Sequence, residues 1–137
     1  SPCEAAGVNP LRIDRLARRT GSVGGPAGTV LGRCHVARGA AARAVGLLAT
    51  PRLDAGEGVW LEPCASVHSA FLRVRIGVAF VDAGGAVVRV VDPLPRWRVA
   101  GARGARAAVE APAGTLAGLR PGDRLTLHEP PTLNRRA

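Results

Sequence analysis

The sequence of 137 residues contains no Lys, Met, Tyr or Gln, and only two Phe and two Trp. So few aromatics leave little with which to stack bases, which argues against a single-strand nucleic-acid binder. There is no run of about 18 apolar residues free of charge, so no transmembrane segment is expected. A phosphate loop, a Gly-x-Ser-x-Gly elbow and a His-Glu-x-x-His helix are all absent. Their absence removes the usual signatures of nucleotide hydrolysis, serine hydrolysis and zinc proteolysis. The opening residues lack the apolar core of a signal peptide. A cytoplasmic protein, or one exported after such a peptide has been removed, both fit.

Charge of one sign is plentiful. The net charge is +9, and all 19 basic residues are Arg. They are spread along the chain, as Arg12, Arg33, Arg52, Arg73, Arg98 and Arg120 show, and form no dense basic run. That distribution reads as a solvated basic surface, and nucleic acid is not the expected partner. The 47% hydrophobic content suits one domain able to bury a core without metal or disulfides. Three cysteines, Cys3, Cys34 and Cys64, are an odd count and argue against a full disulfide framework. A Cys34–Cys64 bridge stays open, and Cys3 is expected to be free on a weakly packed arm.

The pattern along the chain is mainly β. Residues 1–28 read as an N-terminal arm, with a first strand starting near Leu11 and a Gly-rich loop over 21–28. Residues 29–128 form the domain proper, and 129–137 a C-terminal tail. Strands are expected over 29–37, 59–62, 67–74, 105–111 and 124–127. Residues 76–82 and 86–91, joined through Ala83-Gly84-Gly85, make the clearest hairpin, and 86–91 reads as buried on both faces. Ala41, Ala44, Val45 and Leu48 stand at helical spacing within 37–48, and 114–119 suggests one further turn of helix. The expected architecture is a small β-sandwich or barrel-like sheet with one or two short helices.

Four blocks occur in order. They are Ala41-Ala42-Arg43-Ala44-Val45-Gly46-Leu47-Leu48; Gly56-Glu57-Gly58-Val59-Trp60-Leu61; Cys64-Ala65-Ser66-Val67-His68 with the following Phe71-Leu72-Arg73; and Pro112-Ala113-Gly114-Thr115 with Gly122-Asp123. Together they resemble the domain-of-unknown-function 192 family, in its Cys-x-x-Val-His subgroup. The resemblance implies a β-rich, sandwich-type fold and carries no established activity. It also supplies a context, since some bacterial members are associated with envelope or pilus-secretion systems. The chain departs from the family pattern in having Gly77 where many relatives carry Asp, and Val74-Arg75 where they carry Phe-Pro. Ala100-Gly101-Ala102 stands where the subgroup can have a second Cys, so Cys64 has no partner there.

Two constellations remain. Cys64 and His68, four apart, are the raw material of thiol catalysis or of a metal site completed by Cys34 and His35. A packed Cys and a hydrogen-bonded His explain them as well, and neither metal nor cofactor is expected. Arg73, Arg75, Arg96 and Arg98, with Trp97, would form a cationic patch if their segments lie side by side. A plain solvent face made soluble by Arg is the bland alternative. Carboxylates at Asp54, Glu57, Glu62, Asp82, Asp92 and Glu110 read as solvated or capping groups. The leading reading is a non-enzymatic binding or accessory module, with Cys64, His68, Arg73, Arg75, Trp97 and Arg98 at its site. Its partner would be another protein or a small anionic ligand. A structural subunit of a larger assembly and a thiol-dependent enzyme using Cys64 and His68 are the alternatives.

Overall fold

A computed structural model describes residues 2–3, 19–38, 53–69 and 74–130. Its strands are β1 (Pro2–Cys3), β2 (Arg19–Gly25), β3 (Gly28–Ala37), β4 (Glu57–Leu61) and β5 (Ser66–His68). They continue with β6 (Ile76–Val81), β7 (Val87–Val91), β8 (Val99–Gly101), β9 (Ala107–Pro112) and β10 (Thr126–His128). Seven of them form one sheet in the order β10-β2-β3-β4-β9-β6-β7, and β1, β5 and β8 form a second with β5 in the middle. The fold is mainly β and barrel-like, as expected. No helix occurs among the described residues. Residues 114–119 make successive turns, Thr115 N–H to Pro112 O and Leu119 N–H to Leu116 O, instead of a helix. The helix expected over 37–48 and the strand from Leu11 fall outside the described residues, except that Ala37 ends β3.

The larger sheet curls until one stretch of chain touches both its edges. Leu125 N–H donates to Gly85 O and Val87 N–H to Asp123 O, beside β7. A few residues on, Thr126, Leu127 and His128 pair with Gly24, Val23 and Ser22 of β2. Side chains that alternate along each strand are therefore buried in two different places. Cys34, Val36, Trp60, Ala79, Val81, Val109 and Ala111 share one cluster with Val23 and Leu125 from near the edges. The alternate positions Ala37, Val59, Leu61, Ile76, Val78, Phe80 and Ala108 pack with Cys64, Val67, Leu94 and Ala100, from β5, β8 and their connections. Burial on both faces explains the near-continuous apolar runs of β6 and β9. Phe80, Ile76 and Leu61, all almost fully buried, each stabilise the fold by about 1.5–3 kcal/mol.

Two expectations change. The Gly-rich run over 21–28 is mostly strand: β2 and β3 form a tight hairpin turning at Pro26 and Ala27. Glycine is needed at Gly21 because a Cβ there would overlap the backbone of His128 as β10 passes. The segment over 86–91 is an edge strand, with Val87 buried, Arg89 exposed and the other valines half-buried. Apolar composition signals burial but not a strand's place in the sheet. The β6–β7 hairpin itself forms as expected. Asp82 Oδ1 accepts from the N–H groups of Gly84 and Ala86, and Gly85 takes the left-handed φ of 89° that the turn requires.

Candidate functional site

Of the sequence-predicted residues, His68, Trp97 and Arg98 lie on segments that are bonded to one another. His68 of β5 lies opposite Val99 of β8. The next residue, Ser69, is the organiser. Its N–H donates to Arg98 O at 2.9 Å, its hydroxyl donates to Pro95 O at 2.6 Å, and Arg98 N–H donates to the same hydroxyl oxygen at 2.9 Å. One buried hydroxyl thus acts as donor and acceptor and fixes both ends of residues 95–98. Leu94 N–H donates to Ile76 O at 2.8 Å, which ties the strand that Arg75 precedes to the start of the same turn. Arg73 lies outside the described residues.

At the tip of that turn Trp97 is 63% exposed and Val99 74% exposed, with Arg96 and Arg98 also exposed. Trp97 has φ of 58°, the left-handed region that costs a non-glycine residue about 1–2 kcal/mol. The Ser69 bonds oppose that cost. Sequence reasoning passed over Ser69, since a lone serine next to a short strand carries no signal of the loop it will meet.

Cys64 sits differently from expectation. It is buried and disulfide-bonded, while Cys34 is a free thiol with no exposure. The Cys34–Cys64 bridge left open by the sequence therefore does not form. A sulfur held in a disulfide has no thiolate with which to attack a substrate or bind zinc, so the Cys64–His68 nucleophile and metal readings lapse. Burial, with a smaller contribution from the Glu129 charge, pushes the Cys34 thiol up to about 12. No group of three His, Cys, Asp or Glu side chains among the described residues is arranged to hold a metal ion.

A second group of ionisable residues is brought together by the strand register, and in it Glu110, read from the sequence as a solvated or capping carboxylate, is buried. His35 of β3 pairs with Val59 of β4, and Val59 with Glu110 of β9, so all three face the same side of the sheet. Glu57, two residues before Val59, shares that face and is a diagonal neighbour of both His35 and Glu110. His35 is fully buried, and its Nε2 lies 2.8 Å from Glu57 Oε2. Glu57 Oε1 accepts from Asp54 N–H. Burial works to raise the Glu57 pKa, but the bonds from His35 and Asp54 and the charges of His35 and Arg33 outweigh it and hold the carboxyl below its ordinary value. Glu110 is 4% exposed, and burial alone pushes its carboxyl up to about 7. A glutamate inside an apolar run, as in Ala107-Ala108-Val109-Glu110-Ala111, was the available signal.

Other charged groups are spoken for within the fold. Asp92 accepts from the N–H groups of Gly114 and Leu116 at 2.7 and 2.8 Å, and its carboxyl fills the space that a Cβ on Gly77 would need. The absence of a side chain at Gly77 thus makes room for a carboxylate arriving from the end of β7. A cleft of about 420 Å³ by Trp60 contains Arg38, Glu129, Arg106 and Glu62, which pair with one another.

The described residues define a small curled β domain with ordered polar surfaces and no catalytic constellation of a familiar kind. Residues 24–127 match the family model DUF192, described as "Uncharacterized ACR, COG1430", and the chain belongs to that family. Among curated proteins none matches. A protein of unknown function from Novosphingobium aromaticivorans DSM 12444 has a similar structure, with a TM-score of 0.69 and 24% identity over 78% of this chain and 83% of that one. A Sinorhizobium meliloti 1021 protein, provisionally described as a transcription regulator, aligns with a TM-score of 0.68 and 18% identity over 80% and 92%. At these identities the likeness establishes the fold alone. No helix among the described residues is long and apolar enough to cross a membrane, which says nothing of β-barrel insertion.

Proposed function

We propose that this DUF192 domain is a non-enzymatic binding module that docks an acidic segment of a partner protein on the turn carrying Arg96, Trp97 and Arg98. His68 and Arg75 stand beside it, with Arg73 added from the sequence pattern. The observation that carries the reading is Trp97: a large aromatic, 63% exposed, held in a costly backbone conformation by three hydrogen bonds through Ser69. Rigid aromatics flanked by arginine dominate protein-binding hot spots, because they bury much area while losing little conformational freedom. The high exposure of Trp97 and Val99 favours a protein over a small anion, since small-molecule sites enclose most of their ligand. The flanking arginines favour acidic partners through bidentate pairing with carboxylates. The disulfide at Cys64 is of a kind that persists in oxidising compartments, which supports an exported setting and, with it, the envelope context of the family resemblance.

Photocrosslinking from position 97 in the source organism tests this. The expected adduct joins the turn to an acidic peptide, and it disappears when Arg96 and Arg98 are replaced by Ala. Adducts to neutral or basic peptides, or adducts indifferent to those replacements, would refute the docking site. A copy of the same chain as the sole crosslinked species would point instead to a structural subunit.

A further inference from the structure

We propose that the acidic partner segment docked at the Trp97 turn adds as an extended strand to the free edge of β8, lengthening the small sheet by one strand. The inference rests on the docking reading above and names the form its occupant takes. β8 is the end strand of the order β1-β5-β8, so one of its edges has no neighbour in that sheet. Ser69 N–H donates to Arg98 O and Ala102 N–H to Ala65 O, so by alternation residues 98, 100 and 102 turn their backbone groups towards β5. Val99 and Gly101, between them, turn theirs away. Arg89 marks that direction, since its guanidinium reaches from β7 and donates to Gly101 O at 2.7 Å. Among the described residues nothing bonds the other three outward groups, Val99 N–H, Val99 C=O and Gly101 N–H. Such an edge is a template for another chain, and strand addition is a recurrent way of holding an extended peptide.

The surroundings of the edge choose its occupant. Natural edges are often blunted by charge or proline on the strand itself, but β8 reads Val-Ala-Gly and leaves Val99 74% exposed. Three residues form few bonds, so the side chains around them must supply the rest. Residues 93–109 contain Arg96, Arg98, Arg103 and Arg106 and neither Asp nor Glu. Arg96 and Arg98 precede β8 and Arg103 follows it, all three exposed. A segment laid along the edge therefore meets arginine beyond both of its ends, which suits carboxylates there through bidentate pairing. A second copy of this chain would bring the same arginines against one another, and like charges set face to face oppose association. Paired residues of neighbouring strands share a face, so the residue beside Val99 is apolar. The occupant is thus an extended segment with an apolar centre and acidic flanks.

The test selects short peptides from a random phage-displayed library on the full chain and keeps those whose binding is lost with Trp97→Ala. They should be acidic around an apolar centre. Each peptide N–H is then replaced in turn by N-methyl. Binding should weaken by about tenfold at alternate positions and little at those between, since only alternate residues face β8. Amide exchange at Val99 and Gly101 should slow as peptide is added. Val99→Pro removes an N–H that makes no bond to β5 and should weaken binding to a similar degree, while the N-methyl scan leaves the protein untouched and is independent of how that variant folds. An N-methyl scan without alternation, or unchanged exchange at both amides, from peptides that still require Trp97, would overturn strand addition and leave the docking turn standing. Recovery of no peptide that requires Trp97 would overturn both. Exchange at the two amides that slows with protein concentration alone would assign the edge to a second copy and overturn the acidic partner.

Discussion

Replacing Glu110 by Gln should remove a pH-dependent cost that the native fold carries at its centre. The carboxyl titrates at about 7 in the folded protein against 4.5 when free, and burial is the whole cause. The folded state therefore holds this proton more tightly than the unfolded chain does. Below about pH 4.5 both states are protonated and Glu110 contributes no penalty. Between there and about pH 7 the unfolded chain gains by ionising while the folded one resists, so stability falls, and it levels off above pH 7. The gap of roughly 2.5 pKa units corresponds to about 3 kcal/mol, or roughly 10 °C in Tm for a domain of this size. Gln has nearly the same shape and no charge to desolvate. Urea unfolding of native and Glu110→Gln proteins at half-unit steps from pH 4 to 8.5 reads the difference directly, because the other titrating groups are common to both. The variant should be less stable or equal at pH 4.5 and more stable by about 3 kcal/mol at pH 8. A difference that stays flat across that range would refute the argument that this carboxyl is buried without a partner.

Trp97→Gly should leave the protein as stable or raise stability by up to about 1 kcal/mol, by relieving the left-handed strain, while abolishing partner capture; a marked loss in Tm would show that the indole is structural. Ser69→Ala removes the hydroxyl shared by Pro95 O and Arg98 N–H and should cost about 1–3 kcal/mol, with faster amide exchange at Arg98. Gly77→Ala should destabilise by about 1–3 kcal/mol, because its methyl meets the Asp92 carboxyl, and combination with Asp92→Ala should cost less than the sum of the two changes. Cys34 should resist alkylation by iodoacetamide at pH 8 in the folded protein and react on unfolding, followed by mass spectrometry; rapid labelling would contradict its burial and raised pKa.

How much of this was legible beforehand differs from feature to feature. The hairpin joining β6 and β7 could be read because β-branched runs around Asp82-Ala83-Gly84-Gly85 specify strand, turn and register within a dozen residues. The family could be read because its blocks are local strings. Ser69, by contrast, gains its role only when residues 95–98 arrive across the small sheet, 26 to 29 positions away. The pairing of His35 with Glu57 spans 22 residues and depends on β3 and β4 lying parallel in one register. Shifting that register by one position would send them to opposite faces.

By itself, then, the sequence determined the β class, the main turns and the family, because periodicity, turn chemistry and motif strings act over short separations. Only the tertiary structure decided that the glycines over 21–25 belong to a strand crossed by β10, that 86–91 is an edge, and that Cys64 is bonded while Cys34 is not. It also decided that Glu110, read from the sequence as a solvated or capping carboxylate, is buried on one face with His35 and Glu57. These outcomes depend on which strands become neighbours and in what register. Contacts between segments far apart in the chain settle that, and no stretch of the chain encodes it alone.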